Sequence, residues 1–204
     1  GTDTPEGGSL SEGPETALQT VSSLEELLQA IEQAEAGATI GIGCEIVCLD
    51  GTVLGDTYKR VTLQRTAPEG HISTYSPDGT GNVIIQAIDF DGGNVEATTP
   101  FVQASISTAY SECHFSDCTA GAVEADNGDQ NFGYCVFERN TAQYGAHIRM
   151  NGGSANLFNC VLGRGTATIR GGAIACYTDQ EVTLEKCSIW ENTAAQHGGA
   201  IWNR

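Results

Sequence analysis

The residues best suited to chemistry are three aspartates and four arginines. Asp89 and Asp91 stand two positions apart, with Asp117 further along the chain. Two carboxylates held about 5–9.5 Å apart would hydrolyse a glycosidic bond. Arg139, Arg149, Arg164 and Arg170 would supply the base for a lyase acting beside acidic calcium ligands. The bland alternative is a solvated charged face. The run DFDGGN, Asp89 to Asn94, opens like a calcium loop but lacks the later bidentate glutamate. His71, His114, His147 and His197 show no metal-ligand spacing, and the eight cysteines form no CxxC pair. No metal or other cofactor is expected. Outward Tyr144, Trp190 and Trp202 would form an aromatic contact patch for a sugar or a protein. Trp202 is also a candidate for core beneath a further coil, which is the reading favoured here.

The composition narrows the choice of partners. Nine Lys and Arg against 26 Asp and Glu give a net charge of −17. Such a chain is repelled by nucleic acid and by anionic membrane surfaces. No run of apolar residues is long enough for a membrane-spanning helix. The sequence begins at Gly1 with neither an initiator Met nor a signal-peptide pattern, as a processed chain would.

What must position these residues is a repeat. Cys113-His-Phe115-Ser-Asp-Cys118-Thr-Ala leads to Gly121-Ala-Val123, and Cys135-Val-Phe137-Glu-Arg-Asn140-Thr-Ala leads to Gly145-Ala-His-Ile148. Cys160-Val-Leu162-Gly-Arg-Gly165-Thr-Ala leads to Gly171-Gly-Ala-Ile174, and Cys187-Ser-Ile189-Trp-Glu-Asn192-Thr-Ala leads to Gly198-Gly-Ala-Ile201. The cysteines step by 22, 25 and 27 residues. A period of this size, built from short β-type runs without helical periodicity, predicts a solenoid. The fold class is all-β: a right-handed parallel β-helix of six or seven coils, stacked about 4.8 Å apart.

Alternation assigns the faces. Polar residues at the Ala position of the glycine strand (His147), and at the position after Ile (Glu124, Arg149, Ala175, Trp202), point outward. Val123, Ile148, Ile174 and Ile201 point inward, as do Ala125, Met150, Cys176 and Asn203. Cys113, Cys135, Cys160 and Cys187 form an inward column beside Phe115, Phe137, Leu162 and Ile189. A preceding strand through Val182 and Leu184 is offset in parity, which demands a bend near Lys186. Each coil therefore has three strands and three bends. The cysteine column reads as small buried apolar groups. Disulfides between stacked coils are conceivable at that separation but strained, and Cys44–Cys48 and Cys113–Cys118 are the more favourable bridges if the chain is exported. Asn140 and Asn192 share a turn position with Cys118 and Gly165, where Asn adopts left-handed geometry and passes hydrogen bonds from coil to coil. Arg139 and Arg164, also equivalent, would stack as a basic pair.

Ahead of the repeats, residues 1–20 read as a flexible acidic lead-in. Residues 21–37 carry an amphipathic helix over Leu24–Ala36, capped by Ser22 or Ser23, stopped by Gly37, and striped with Leu24, Leu27, Leu28 and Ile31. It would plug the first coil, whose open edge otherwise invites aggregation. The β-helix occupies 38–204. Its strands before the clear repeats are expected at Ile40–Val47, Arg60–Leu63, His71–Tyr75, Asn82–Ile88 and Phe101–Ser105, with Ala67–Thr80 a surface excursion. The last coil, at Asn203-Arg204, has no cap, so the native protein is expected to continue.

The paired signatures Phe137-Glu-Arg-Asn140 with Gly145-Ala-His-Ile148, and Ile189-Trp-Glu-Asn192 with Gly198-Gly-Ala-Ile201, resemble the FxxN and GGAI repeats of the chlamydial polymorphic outer-membrane proteins. More broadly the chain looks like bacterial surface proteins with β-helix repeats. The segment SLEELLQAIEQAEAGATIGI is similar to the opening of pectate-lyase-like β-helices. The first repeat departs from the pattern at Cys118 and Gly121-Ala-Val123, and the third at Gly165. The resemblance implies an exported or cell-surface module, adhesin-like or scaffolding, that binds a protein or glycan without catalysis. The alternative is a polysaccharide lyase or glycoside hydrolase.

Overall fold

The computed structural model describes residues 18–177 and 180–204. The chain is a right-handed parallel β-helix, and every pairing between its strands is parallel. Each regular coil leaves the first of three long sheets for the third, returns through the second, and turns sharply at one residue back into the first. The first sheet has eight strands: Gln19–Val21, Thr39–Ile42, Val61–Arg65, Ile88–Asp91, His114–Ser116, Val136–Glu138, Val161–Gly163 and Ser188–Trp190. The second has six: Val53–Leu54, Asn82–Gln86, Ser107–Ser111, Gln130–Gly133, Ala155–Phe158 and Val182–Glu185. The third has seven: Glu45–Leu49, His71–Tyr75, Val102–Ala104, Val123–Ala125, Ile148–Met150, Ile174–Cys176 and Ile201–Asn203.

A fourth, three-stranded sheet also forms, from Thr141–Tyr144, Thr166–Arg170 and Thr193–Ala194. The sequence reading placed these Thr-Ala segments inside a turn, with three strands per coil. They extend because the turn is completed one residue before the Asn position. Asp117, Arg139, Arg164 and Glu191 adopt left-handed φ of 57°, 56°, 56° and 50°, which frees the following residues to pair. The asparagines themselves therefore do not take the left-handed conformation. The bend expected near Lys186 lies at that residue (φ 55°), in a column with Ala87, Glu112, Tyr134 and Asn159.

The register reaches further back than the obvious repeats. Ile40, Leu63, Phe90, Phe115, Phe137, Leu162 and Ile189 are successive partners on the inward face of the first sheet. Phe90, Phe115 and Phe137 stack with centroids 4.6 and 4.8 Å apart and ring planes within 5°. The span Ile40–Val47 is two strands rather than one, broken at Gly43-Cys44 where the chain changes sheet. Asn82–Ile88 likewise splits at Ala87. Ala67–Thr80 is no excursion, because it contains the core strand His71–Tyr75, paired to Glu45–Leu49.

The chain joins the solenoid before the helix. Gln19–Val21 pairs with Thr39–Ile42, inside or next to the span assigned to the lead-in, of which residues 1–17 lie outside the described residues. The helix is Leu24–Gln33, shorter than expected. Ser23 is its N-cap, accepting from Glu26 N at 3.2 Å, while the Glu26 carboxylate accepts from Ser22 N and Oγ at 2.7 and 2.8 Å. These bonds hold the Glu26 carboxyl below its ordinary pKa. The buried stripe is Leu27, Ala30 and Ile31, packed into the cluster that holds Val21, Ile40 and Ile46. Leu28, expected in that stripe, is exposed. Replacing Ser23 by Ala should cost about 1 kcal/mol in urea unfolding. A loss below about 0.3 kcal/mol would show that the cap does not hold the helix.

A glycine-floored groove and its candidate site residues

The cysteine column is internal. Cys113, Cys135 and Cys160 are buried, and Cys187 is half-buried in the last coil. Each thiol lies within hydrogen-bonding reach of a carbonyl two residues back and of another in the preceding coil: Ser111 and Ile85, Gly133 and Tyr110, Phe158 and Phe132, Glu185 and Leu157. All eight cysteines are free, so neither Cys44–Cys48 nor Cys113–Cys118 is bridged. Burial pushes the Cys48 and Cys118 thiols up to about 12 and Cys176 to about 11. Because the inward column is buried and closed to reagent, maleimide at pH 7 should label the folded protein far more slowly than the denatured protein. Labelling of Cys113, Cys135 and Cys160 at similar rates in both states would contradict an inward column.

Asn140 and Asn192 tie coils together with one bonding pattern. Asn140 Oδ1 accepts from Cys118 N at 3.0 Å, and its Nδ2 donates to Phe115 O at 3.0 Å. Asn192 Oδ1 accepts from Gly165 N, and its Nδ2 donates to Leu162 O, both at 2.8 Å. The coil between them has Gly165 instead of Asn. A Cβ there would fall 2.2 Å from Gly172 O. The vacancy is filled by His147, which is fully buried rather than outward. Its ring bridges the two asparagines, with Nδ1 3.0 Å from Asn140 Nδ2 and Nε2 3.1 Å from Asn192 Oδ1. The outward assignment fails because the strand starts only at Ile148, so alternation does not extend back across the corner. Asn140 Nδ2 donates, so Nδ1 must accept, and Nε2–H then donates to Asn192. The imidazole is held neutral, and burial depresses its pKa to about 4.

The charged candidates stand on the outer face of the first sheet, where they neutralise one another. Asp89 is paired with Arg60. Asp91 accepts from Gln64 Nε2 at 3.0 Å and from Gly93 N at 2.8 Å. Arg139 grips Asp117 in a bidentate pair at 3.0 and 2.9 Å and also meets Glu138 at 2.8 Å. His114 Nε2 lies 3.2 Å from Glu138. Arg164 turns to Glu191 at 3.3 Å, so Arg139 and Arg164 are two separate ion pairs rather than a basic clamp. Among the described residues no group of three or more His, Cys, Asp or Glu could hold a metal ion, and DFDGGN is the end of the strand Ile88–Asp91 followed by a turn in which Asp91 accepts from Gly93 N.

A concave feature lies away from these charges, at the corner between the third and fourth sheets. Gly121, Gly145, Gly171 and Gly198, the first glycines of the repeated motif, occupy this corner with positive φ. At Gly145 a Cβ would lie 2.2 Å from Ile148 O, and at Gly171 2.3 Å from Ile174 O. The corner column is thus bare backbone, and a groove of about 520 Å³ forms over Gly121 and Gly145. Thr119, Thr141, Gln143 and Tyr144 line one wall, Glu124 and Arg149 the other, and the segment Ala97–Pro100 borders one end. Glu124 and Arg149 form an ion pair at 3.4 Å.

The aromatic patch divides. Tyr144 stands edge-to-face with Tyr177 at 5.6 Å, and Tyr177 with Trp202 at 4.9 Å. Trp202 is therefore half-buried on the outer face, not lumen core. Trp190 belongs to the first sheet, where it leans over the bare backbone of Gly163 with Arg164 4.7 Å above its ring. The sequence signal for the groove is the recurring first glycine of the repeat. Comparison with protein-family models, curated proteins and solved structures finds no match to this chain. What the fold and site define is a right-handed parallel β-helix with a glycine-floored corner groove.

Proposed function

We propose that the protein is an exported, surface-displayed module that holds an extended glycan in the corner groove without transforming it. The observation that carries this reading is the lining of the groove. Threonine hydroxyls, the Gln143 amide and the Tyr144 ring offer hydrogen bonds and a ring face to a sugar. Glu124 is the single carboxylate in the lining, and it is tied to Arg149. Hydrolysis by paired carboxylates needs two. Export is supported by the FxxN and GGAI resemblance, and the net charge of −17 disfavours nucleic acid.

The polysaccharide-active alternative would use Asp89, Asp91 and Asp117 on the first sheet. Asp89 and Asp117 are held by ion pairs and Asp91 by hydrogen bonds. A glycan array combined with a lyase and hydrolase screen, with and without calcium, tests both readings. Retention without turnover is the expected result. Turnover of any polysaccharide would overturn binding without catalysis.

A further inference from the structure

Resting on the groove reading, we propose that the groove ends in a subsite for one carboxylate-bearing sugar, recognised by Arg170. Two outward rows converge where the groove meets the last coils. Along the fourth sheet, Tyr144 is the register partner of Arg170, which bridges in turn to His197. Along the third, Glu124, Arg149, Ala175 and Trp202 follow one another. Across the bare glycine corner these rows meet as one cluster. Arg149 lies over Tyr144 and Tyr177 at 5.4 and 5.3 Å, and Arg170 lies over Trp202 at 4.8 Å.

Among the described residues the charges in this cluster do not balance. Arg60, Arg139, Arg149 and Arg164 each have a carboxylate partner. Arg170 forms no ion pair among the described residues, although acidic side chains outnumber basic ones almost three to one. The Nε atoms of both Arg149 and Arg170 are buried without a hydrogen-bond partner. With Nε closed to solvent, it is the terminal in-plane Nη–H donors of a ring-stacked guanidinium that match a carboxylate in a bidentate pair. The surrounding rings offer apolar surface to the C–H face of a pyranose.

The overall charge limits the ligand to few negative groups. A polyanion would be repelled along the whole solenoid, whereas one carboxylate at the end of a neutral glycan meets the local cation and little else. The ligand class is therefore a largely neutral oligosaccharide with a single acidic sugar, such as a terminal sialic or uronic acid.

Matched glycan pairs, each a neutral oligosaccharide and the same chain bearing one terminal acidic sugar, test this when arrayed against the wild type, Arg170→Met and Arg170→Lys. Thermal unfolding of each variant checks its fold. The wild type should retain the acidic member roughly tenfold more strongly, the scale of one charge-assisted hydrogen-bond pair. Arg170→Met should erase that preference while binding the neutral member unchanged, and Arg170→Lys should keep part of it. Equal retention of both members by the wild type, or a preference that survives Arg170→Met, would overturn the acidic subsite and leave the glycan groove standing. Retention of no glycan would remove both.

Discussion

Acidification from pH 7 to 4 should remove about 3 kcal/mol of stability through His147 alone. The imidazole titrates near 4 in the folded chain against an ordinary 6.5. The unfolded chain therefore takes up a proton as the pH falls through 6.5, while the folded chain resists until about 4. The contribution is complete above about 6.5, declines by about 1.4 kcal/mol per unit below it, and levels off beneath the folded pKa. The physical cause is burial, which denies a charged imidazolium its water. A proton on Nδ1 would face the Asn140 Nδ2 donor, 3.0 Å away in a site without solvent. Because carboxylates also titrate in this range, the measurement is the difference between wild type and His147→Gln in urea unfolding across pH 4 to 7. That difference should shrink steadily toward acid. His147→Ala should cost about 3 kcal/mol at pH 7, since it strands the Asn140 amide and opens a void. A wild-type-minus-Gln difference independent of pH would contradict the neutral bridge.

Phe115→Ala should be the most damaging core substitution, at about 4 kcal/mol. Phe115 is fully buried between Phe90 and Phe137, in contact with both ring faces, and meets Tyr110 edge-on at 5.9 Å. Coils stacked in strict register relax poorly around a missing ring, because each neighbour is pinned by its own parallel ladder. Urea unfolding should register the loss together with a melting temperature lower by roughly 10 °C. Phe158→Ala, on the outer side of the second sheet beside Tyr134, should cost far less. Similar losses for the two would mean that the aromatic column does not organise the core.

The fold was legible because the repeat is a physical device. Cysteine, aromatic and glycine positions recur where one coil must sit on the next, and the strands that follow Cys113, Cys135, Cys160 and Cys187 pair in that alignment. The early coils were harder to read, since their corners vary in length while the inward column Ile40, Leu63, Phe90 stays in register. The fourth sheet was missed because the left-handed residue precedes the Asn position, and any of Asp, Arg or Glu occupies it. His147 was missed for a similar reason. Strand alternation was extended through a corner, although the clue was present: the asparagine column lacks a side chain at Gly165, and the preceding coil carries His where its neighbours have Ala. The carboxylates looked like a site in sequence because spacing cannot reveal that Arg139 lies within reach of Asp117.

The measurement that bears most directly on the corner groove is the affinity of the glycan retained most strongly on the array, determined by calorimetry for the wild type, Thr141→Trp and Asn156→Trp. Thr141 is exposed in the groove wall, so an indole there fills the channel without entering the core. Asn156 is exposed on the second sheet, where its Nδ2 bonds Asn131 Oδ1 at 3.1 Å. A groove that holds the ligand predicts an affinity loss of roughly tenfold or more for Thr141→Trp and no change for Asn156→Trp. Undiminished binding by Thr141→Trp would place the ligand elsewhere and contradict the assignment of function to the glycine-floored corner.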